Sequence, residues 1–156
     1  MRRTTNGAPR VSYEIFQAKA DLADLVATFA ITSDERRLPD QMKLFTPDAH
    51  VEIWMGENLA FDISGTEKML EIFTAFTADV KRLFHMNGQQ IFTVNGDTAT
   101  GIVYCEAKLI SGESNAETIT VSSIRYDDTY VLRDGRWLIA TRISHFSIND
   151  TRPLAT

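Results

Sequence analysis

Apolar residues recur at spacings of three and four in two stretches of the first half of the chain. In the first stretch, which follows Ser12, they are Ile15, Phe16, Leu22, Leu25, Val26, Phe29 and Ala30. This spacing predicts a long helix with one apolar face, for which Ser12 is the expected N-cap and which ends near Ser33. A second amphipathic helix is predicted from Glu67 to about Val80, and its buried positions are Met69, Leu70, Phe73 and Phe76.

The segment between these helices is less regular. Pro39 can occupy the first turn of a short helix, which we expect to run through Phe45 and to stop at Thr46-Pro47-Asp48. Residues 50–55 alternate between apolar and polar side chains, which predicts a strand, and residues 61–64 form a brief extended segment. The first half of the chain is therefore expected to be mostly helical.

From about Arg82 onward the apolar period shortens to two, which predicts strands. We expect strands at 82–94, 98–110, 117–133 and 136–148, with turns at Asn95-Gly96-Asp97, Ser111-Gly112-Glu113 and Asp134-Gly135. Helices followed by a long antiparallel meander predict an α+β fold. In such a fold a strongly curved, mixed but mainly antiparallel sheet wraps around the N-terminal helices.

The composition is that of one globular domain. The chain has 156 residues, of which 44% are hydrophobic and 24% charged, and it contains no internal repeat or linker-like stretch. We therefore expect a single domain at residues 12–150, with a flexible tail at 1–11 and a short C-terminal tail at 151–156. The formal charge of −5 argues against nucleic acid or an anionic membrane as partner, since both require clustered basic residues. A small molecule or another protein is the expected partner.

The few cysteines and histidines restrict the chemistry. Cys105 is the only cysteine, so neither an internal disulfide nor a thiolate metal cluster can form, and a reducing cytoplasm is the expected location. The basic N-terminus is not followed by an apolar run, and no apolar stretch approaches the ~20 residues of a membrane span. His50, His85 and His145 are too scattered to suggest a metal site. Phosphate-binding glycine loops and the Gly-x-Ser-x-Gly motif are absent, which excludes the common nucleotide-cofactor and hydrolase classes.

Large apolar and aromatic side chains are numerous enough to line a cavity for a flat apolar ligand. The candidate lining residues are Phe29, Trp54, Met55, Phe61, Phe73, Phe76, Phe84, Tyr104 and Tyr126. The same side chains can equally fill an ordinary core. His145 shares a predicted strand face with Trp137 and Ile139. It is therefore either a polar group of the pocket or a hydrogen-bonded core histidine, and the second reading is favoured.

Four sequence strings, in this order, resemble the SnoaL-like branch of the nuclear transport factor 2-like superfamily. They are Asp34 followed by LFTPDA at 44–49, the helix at 65–76, GDTATG at 96–101 and YDDTYVLRDGRWLIA at 126–140. The resemblance covers nearly all of the globular part and implies a cone-shaped α+β barrel. It does not imply one activity, because this fold is shared by isomerases, dehydratases, cyclases, dehydrochlorinases and non-enzymatic binding modules.

Within that superfamily the chain is most similar to the scytalone dehydratase and bile-acid dehydratase type. Those enzymes pair an aspartate at the end of the first helix with a histidine at the start of a central strand, and the matching residues here are Asp34 and His85. The family often has a tyrosine one helical turn before the aspartate, where this chain has Phe29. Either the substrate and reaction differ, or another hydroxyl takes the place of that tyrosine. The candidate hydroxyls are those of Tyr104, Tyr126 and Ser33.

The resemblance implies a cofactor-independent acid–base enzyme, a dehydratase or an isomerase. Its substrate would be a small, apolar, oxygenated ring compound such as a polyketide, steroid or aromatic metabolite. His85 would act as general base or acid, and Asp34 would orient it. Two alternatives use the same fold: a non-catalytic module that binds a small molecule, and the structural small subunit of a ring-hydroxylating dioxygenase. We also expect a homo-oligomer, a dimer or trimer, because a curved sheet covered on one side leaves apolar residues on the other.

Overall fold

A computed structural model of the chain describes residues 12–154. The tail predicted at residues 1–11 lies outside this range. The described helices are α1 (Tyr13–Asp34), α2 (Leu38–Met42) and α3 (Thr66–Thr77). The described strands are β1 (Phe45–Met55), β2 (Asn58–Ser64), β3 (Val80–Asn95), β4 (Thr98–Glu113), β5 (Ala116–Arg133) and β6 (Arg136–Pro153). None of these helices is both long and apolar enough to span a membrane.

The first helix, α1, begins and ends where its local sequence dictates. The Ser12 side chain accepts a hydrogen bond from the Ile15 N–H at 3.3 Å, which confirms the predicted N-cap. One face of the helix is buried, and its buried residues include Leu22, Leu25, Val26 and Ala30. The helix ends at Asp34 because Arg36 adopts a left-handed conformation, with φ of 56°, that interrupts the helical path.

The six described strands form one mixed sheet in the order β2-β1-β6-β5-β4-β3. Strands β1 and β6 are parallel, and the other neighbouring pairs are antiparallel. The edge strands β2 and β3 do not pair with each other in the described part of the chain, so the sheet stays open. Helix α1 packs against β3 and β6 on the inner face of the sheet. The α+β cone predicted from the sequence is confirmed.

One irregularity in β6 decides which side chains reach the interior. Ile139 and Thr141 pair with successive residues of β5, so Ala140 is an extra residue on β6. Because side chains alternate between the two faces of a strand, this bulge reverses the face on which the later residues lie. Ile139 is buried before the bulge, whereas Arg142 and Ser144 are buried after it.

Several element boundaries differ from the prediction: α3 ends at Thr77 and not near Val80, which starts β3, and β2 already begins at Asn58. Phe45 is not helical: it starts β1, and its side chain is buried in the core. The turn between β4 and β5 lies at Ser114-Asn115, not at 111–113. Strand β6 continues to Pro153, so residues 151–153 belong to the sheet and not to a C-terminal tail. In each case pairing with a neighbouring strand extends the sheet beyond what the local sequence pattern indicates.

A glycine allows two aromatic rings to pack on the inner face of the sheet. A Cβ atom added to Gly101 would lie 2.8 Å from the ring of Phe92 and 2.9 Å from the ring of Tyr130, which is too close for a real contact. With glycine at this position the two rings meet edge to face, with their centroids 5.9 Å apart. The absence of a side chain at residue 101 is therefore a packing requirement.

The outer face of β3 carries large apolar side chains that no described element covers. Phe84, Met86 and Ile91 lie on this face, with 51%, 54% and 64% of their surfaces exposed. Exposed apolar surface of this kind commonly marks a site of association. The homo-oligomer expected from the sequence stays a prediction, and we assign its contact to this face.

At micromolar concentration, light scattering should give a particle mass of two or three chains of 17.6 kDa. The double replacement Met86→Glu with Ile91→Glu should lower the mass to that of one chain, because it buries unpaired charge in the contact. Thr74→Glu, on the exposed side of α3, is the control and should leave the mass unchanged. A single-chain mass for the unaltered protein would contradict the prediction.

Candidate active site

A cavity of about 520 Å³ lies between the inner face of the sheet and the helices. Most of its wall is apolar or aromatic, and the lining residues include Phe29, Phe45, Ile53, Phe61, Phe73 and Tyr126. Some of the lining side chains are themselves exposed, namely Met55, Phe61 and Phe76, so the wall reaches the protein surface. A cavity of this size and character is typical of sites for small ligands.

The structure brings Asp34 and His85 together at this cavity. The Asp34 Oδ1 atom lies 2.6 Å from His85 Nδ1, and Asp34 Oδ2 accepts a hydrogen bond from the His85 backbone N–H at 3.0 Å. The His85 side chain is 12% exposed and that of Asp34 is 24% exposed, so the pair is shielded from water without being sealed. His85 lines the cavity, and Asp34 stands behind it. The pair therefore presents the imidazole, and not the carboxylate, to a ligand.

The elements that carry the pair are held against each other near this contact. Asp34 is the last residue of α1, and His85 lies near the start of β3. Two residues further along β3, the Asn87 side chain donates a hydrogen bond to the Val26 carbonyl of α1 at 3.1 Å. A carboxylate at a helix C-terminus is electrostatically unfavourable, and no basic residue lies in the last turn of α1. The position of Asp34 is thus explained by its bonds to His85 and not by helix stability.

The contact with Asp34 determines which nitrogen of His85 is available for chemistry. An ionised carboxylate only accepts hydrogen bonds, so the hydrogen-bonded Nδ1 atom must carry the proton. In the neutral ring Nε2 then has the free lone pair, and within residues 12–154 it forms no hydrogen bond. Such an imidazole can take a proton from a ligand, and the adjacent carboxylate stabilises the imidazolium that results.

Six of the apolar or aromatic residues proposed from the sequence do line the cavity. They are Phe29, Met55, Phe61, Phe73, Phe76 and Tyr126, and Ser33 lies on the same wall. Residues 29 and 33 project from α1, residues 73 and 76 from α3, and the others from strands. The aromatic wall is therefore assembled from both halves of the chain.

The predictions for Trp54, Phe84, Tyr104 and His145 as cavity residues are wrong. None of these residues lines the cavity, because their side chains lie on the outer face of the sheet. In each strand the residues immediately before and after them face inward. On the outer face Trp54 donates to Glu52 at 2.7 Å. His145 is also not a core histidine: it is partly exposed, and its Nε2 atom lies 3.2 Å from Asp127. The Ala140 bulge is the reason, since it moves His145 to the opposite face from Ile139.

Arg142, which the sequence analysis did not identify, is the buried charged residue of the cavity wall. It is buried, and its guanidinium donates two hydrogen bonds to Asp128 at 2.9 and 2.7 Å. The Tyr130 hydroxyl also donates to Asp128, at 2.6 Å. The rings of Phe29 and Tyr126 each lie 4.2 Å from the guanidinium carbon, so the cation is held between two aromatic faces.

Burial changes the ionisation of the groups around Arg142. Burial disfavours the charged guanidinium, yet Asp128 holds the pKa of Arg142 above its usual value. Burial raises the pKa of Tyr126 strongly, and the positive charge of Arg142 opposes this rise only in part. Tyr126 is therefore a protonated hydroxyl at neutral pH. Burial also raises the pKa of the Cys105 thiol, next to the Tyr126 hydroxyl, as expected of a packing residue.

Acidic, histidine and cysteine side chains form no candidate metal site in the described part of the chain. Between residues 12 and 154, no three or more of them are grouped so that they could hold a metal ion. The candidate chemistry of the cavity consequently rests on the His85–Asp34 pair, the Tyr126 hydroxyl and the Arg142 cation.

Comparisons with known proteins agree with this fold. The SnoaL-like domain family matches residues 14–143. An uncharacterised protein from Mycobacterium tuberculosis is 24% identical over 126 residues, which cover 80% of this chain and 82% of that protein. A proposed scytalone dehydratase from Novosphingobium aromaticivorans superposes with a TM-score of 0.72, at 16% identity and over 90% of each chain. A hexachlorocyclohexane dehydrochlorinase from Novosphingobium barchaimii gives a TM-score of 0.73 at 20% identity, over 90% of this chain and 92% of that chain.

The Arg142–Asp128 pair generates a prediction about stability. Arg142→Met should lower the free energy of unfolding by about 3–5 kcal/mol, because it leaves a buried carboxylate without its counter-ion. Adding Asp128→Leu should restore much of this loss, since the unpaired charge is removed. Arg133→Met is the control: Arg133 forms only an exposed pair with Asp48 at 4.0 Å, and its removal should cost less than about 1 kcal/mol. Urea unfolding measures all four proteins, and equal losses for Arg142→Met and Arg133→Met would contradict a buried pair.

Proposed function

The chain belongs to the SnoaL-like domain family, and from that premise we propose that it is a cofactor-independent acid–base enzyme of the dehydratase or isomerase type. Its substrate is a small, apolar, oxygenated ring compound. One observation carries the proposal: a histidine that lines an apolar cavity is held through Nδ1, at 2.6 Å, by a carboxylate behind it. This arrangement leaves a basic nitrogen facing the space that a ligand would fill.

The proposed reaction starts with removal of a proton from a carbon next to a carbonyl group. His85 Nε2 takes the proton, the electron pair moves into the carbonyl to form an enolate, and Asp34 stabilises the imidazolium through Nδ1. In a dehydration the imidazolium then returns the proton to a departing hydroxyl group, which leaves as water. In an isomerisation it returns the proton to another carbon of the same system. Both outcomes leave the enzyme unchanged and need no redox partner.

Tyr126 is the proposed donor to the substrate oxygen. Its hydroxyl is protonated at neutral pH, and its ring lies on the cavity wall. The ring centroid is 6.3 Å from that of Phe29, the position where related dehydratases often have a tyrosine. Of the other hydroxyls considered from the sequence, Ser33 lines the cavity and Tyr104 does not. A hydrogen bond from a positioned O–H group to a developing oxyanion stabilises the transition state more in an apolar cavity than in water.

The character of the cavity and the names of two structural neighbours support an elimination. Most of the wall surface is apolar, which suits a largely apolar ring. A dehydratase and a dehydrochlorinase, the activities named for those neighbours, both remove a small leaving group and a proton. We propose a cytoplasmic location for the enzyme, which the single, buried Cys105 fits.

The dyad can be tested without knowing the natural substrate. Exchange of hydrogen for deuterium next to the carbonyl of 2-tetralone, followed by NMR in D₂O, reports the proton-abstraction step alone. Asp34→Asn and His85→Gln should each slow the catalysed exchange by roughly 10²–10⁴-fold, the usual contribution of a positioned acid–base group. The double variant should be little slower than either single variant, because the two residues act as one unit.

His50→Gln is the matched control, since His50 bonds to Glu52 on the outer face and should not affect exchange. A binding module would behave differently: it would retain its ligand in all variants and show no catalysed exchange in the unaltered protein. Equal exchange rates in the unaltered and His85→Gln proteins would sink the proposed mechanism.

The role of Tyr126 is tested by Tyr126→Phe, which removes only the hydroxyl and keeps the ring against Arg142. In the same assay the rate constant for exchange should fall by about 10²–10³-fold, the range found when one oxyanion donor is lost. The affinity for 2-tetralone should change much less. Tyr104→Phe, on the outer face, should have no effect, and a similar loss in both variants would argue against a donor at residue 126.

A further inference from the structure

Within residues 12–154, two buried polar atoms on residues of the cavity wall, one an acceptor and one a donor, have no hydrogen-bond partner. They are Gln41 Oε1, an acceptor, and Arg142 Nη1, a donor. Both residues line the cavity, and they are only 1% and 2% exposed. Nearly all buried polar groups in proteins are paired, since an unpaired one is costly. Two such atoms at one ligand cavity indicate that a ligand supplies the missing bonds.

The other ends of both side chains are already fixed. Gln41, in α2, donates from Nε2 to the Phe29 carbonyl at 3.1 Å, which orients its amide and leaves Oε1 as the unused atom. Arg142 uses Nε and Nη2 for Asp128, and its guanidinium lies against the Phe29 ring. Neither side chain can turn to satisfy its free atom without breaking a bond that it now makes. Both free atoms belong to side chains that contact the same residue, Phe29.

We propose that these two atoms bind a neutral hydroxyl group of the ligand. The ligand O–H donates to Gln41 Oε1, and the ligand oxygen accepts from Arg142 Nη1. A carbonyl or a fluorine atom offers no donor, so Gln41 Oε1 would remain unpaired. A carboxylate would bond to Arg142 but would be repelled by the amide oxygen. A hydroxyl both donates and accepts, so one such group can satisfy both atoms.

This inference rests on the proposed function in one respect: it assumes that the substrate occupies the same cavity. It adds a substrate class, namely ring compounds that carry a free hydroxyl in addition to the carbonyl at which His85 acts. It also assigns Gln41 as a specificity-determining residue that takes no part in proton transfer. A site built to bond a hydroxyl rejects analogues that lack it, because its buried polar groups are then left unpaired.

The test is a binding measurement on His85→Gln protein, so that turnover plays no part. Equilibrium dialysis gives dissociation constants for 2-naphthol, 2-fluoronaphthalene and 2-naphthoate, which differ in the one substituent. The ratio of the 2-fluoronaphthalene constant to the 2-naphthol constant measures hydroxyl preference. Gln41→Met, which keeps the volume of the side chain, should lower this ratio about tenfold, as expected for one lost hydrogen bond of ordinary strength. The affinity for 2-fluoronaphthalene itself should change less than about twofold.

Two further variants support the comparison. Thr120→Val removes a cavity hydroxyl that bonds to Thr151, away from Gln41, and should leave the ratio unchanged. Gln41→Leu should also lower the ratio, because leucine likewise offers no acceptor for the ligand hydroxyl. It keeps the test decisive if Gln41→Met does not fold.

Three results would overturn the inference. One is an unchanged ratio in the folded Gln41 variants. Another is an equal change in Thr120→Val. The third is tighter binding of 2-naphthoate than of 2-naphthol, which would assign the free arginine nitrogen to an anion. None of these depends on catalysed exchange, so failure of the hydroxyl site and failure of the acid–base mechanism are distinguishable.

Discussion

Both carboxylate oxygens of Asp34 are bound by one residue, and much of the structure depends on that contact. One oxygen meets the ring of His85 and the other meets its backbone N–H, so the end of α1 is fastened to the start of β3. Helix α1 covers the inner face of the sheet, and the cavity exists because it does. The same two bonds therefore hold α1 beside the cavity and orient the imidazole that faces it. The carboxylate lies at the C-terminal end of α1, where the helix dipole disfavours negative charge. Its proposed role in orienting His85 explains why this electrostatic cost is retained.

The second constraint is the arrangement of charge in an otherwise apolar interior. Asp128 and Arg142 are nearly inaccessible to solvent, and each is tolerated because the other neutralises it. Two aromatic rings cover the guanidinium, and a third ring, that of Tyr130, bonds to the carboxylate. The pair lies beside Tyr126, whose ionisation it influences. The packing of Asp128 on β5 against Arg142 on β6 is thus coupled to the groups that the proposed chemistry uses.

The fold could be predicted because its signals are local. The apolar period of α1, its Ser12 cap and the Asp134-Gly135 turn each depend on a few neighbouring residues. The positions of Asp34 and His85 followed from the family resemblance, which places them near element ends. Strand β6 shows where such local reasoning fails. Counting alternate residues assumes an unbroken strand, and the single extra residue Ala140 reverses the count.

Because of that reversal, counting alternate residues did not identify Arg142 as a cavity residue. It also predicted wrongly that His145 faces inward. One signal was present in the sequence: in YDDTY, Asp128 falls on the same strand face as Tyr126 and Tyr130, and a carboxylate on a core face requires a buried cation. The misplaced turn after β4 has a different origin, because β4 and β5 pair there without a shift in register. Gly112 has the positive φ of a turn residue, 96°, but it lies within the strand, where a Cβ would meet the Ala116 carbonyl oxygen at 2.6 Å.

The tautomer of His85 tests the central claim most directly, because it reports which ring nitrogen Asp34 engages and which one faces the cavity. The measurement is ¹⁵N NMR of histidine-labelled protein, with His85→Gln used for assignment, at alkaline pH where imidazoles are neutral. The geometry predicts a proton on Nδ1, hydrogen-bonded to Asp34, and an unprotonated Nε2. In Asp34→Asn the preference for this tautomer should be lost. A His85 ring protonated on Nε2 in the unaltered protein would contradict the account, because the nitrogen facing the ligand could not then accept a proton.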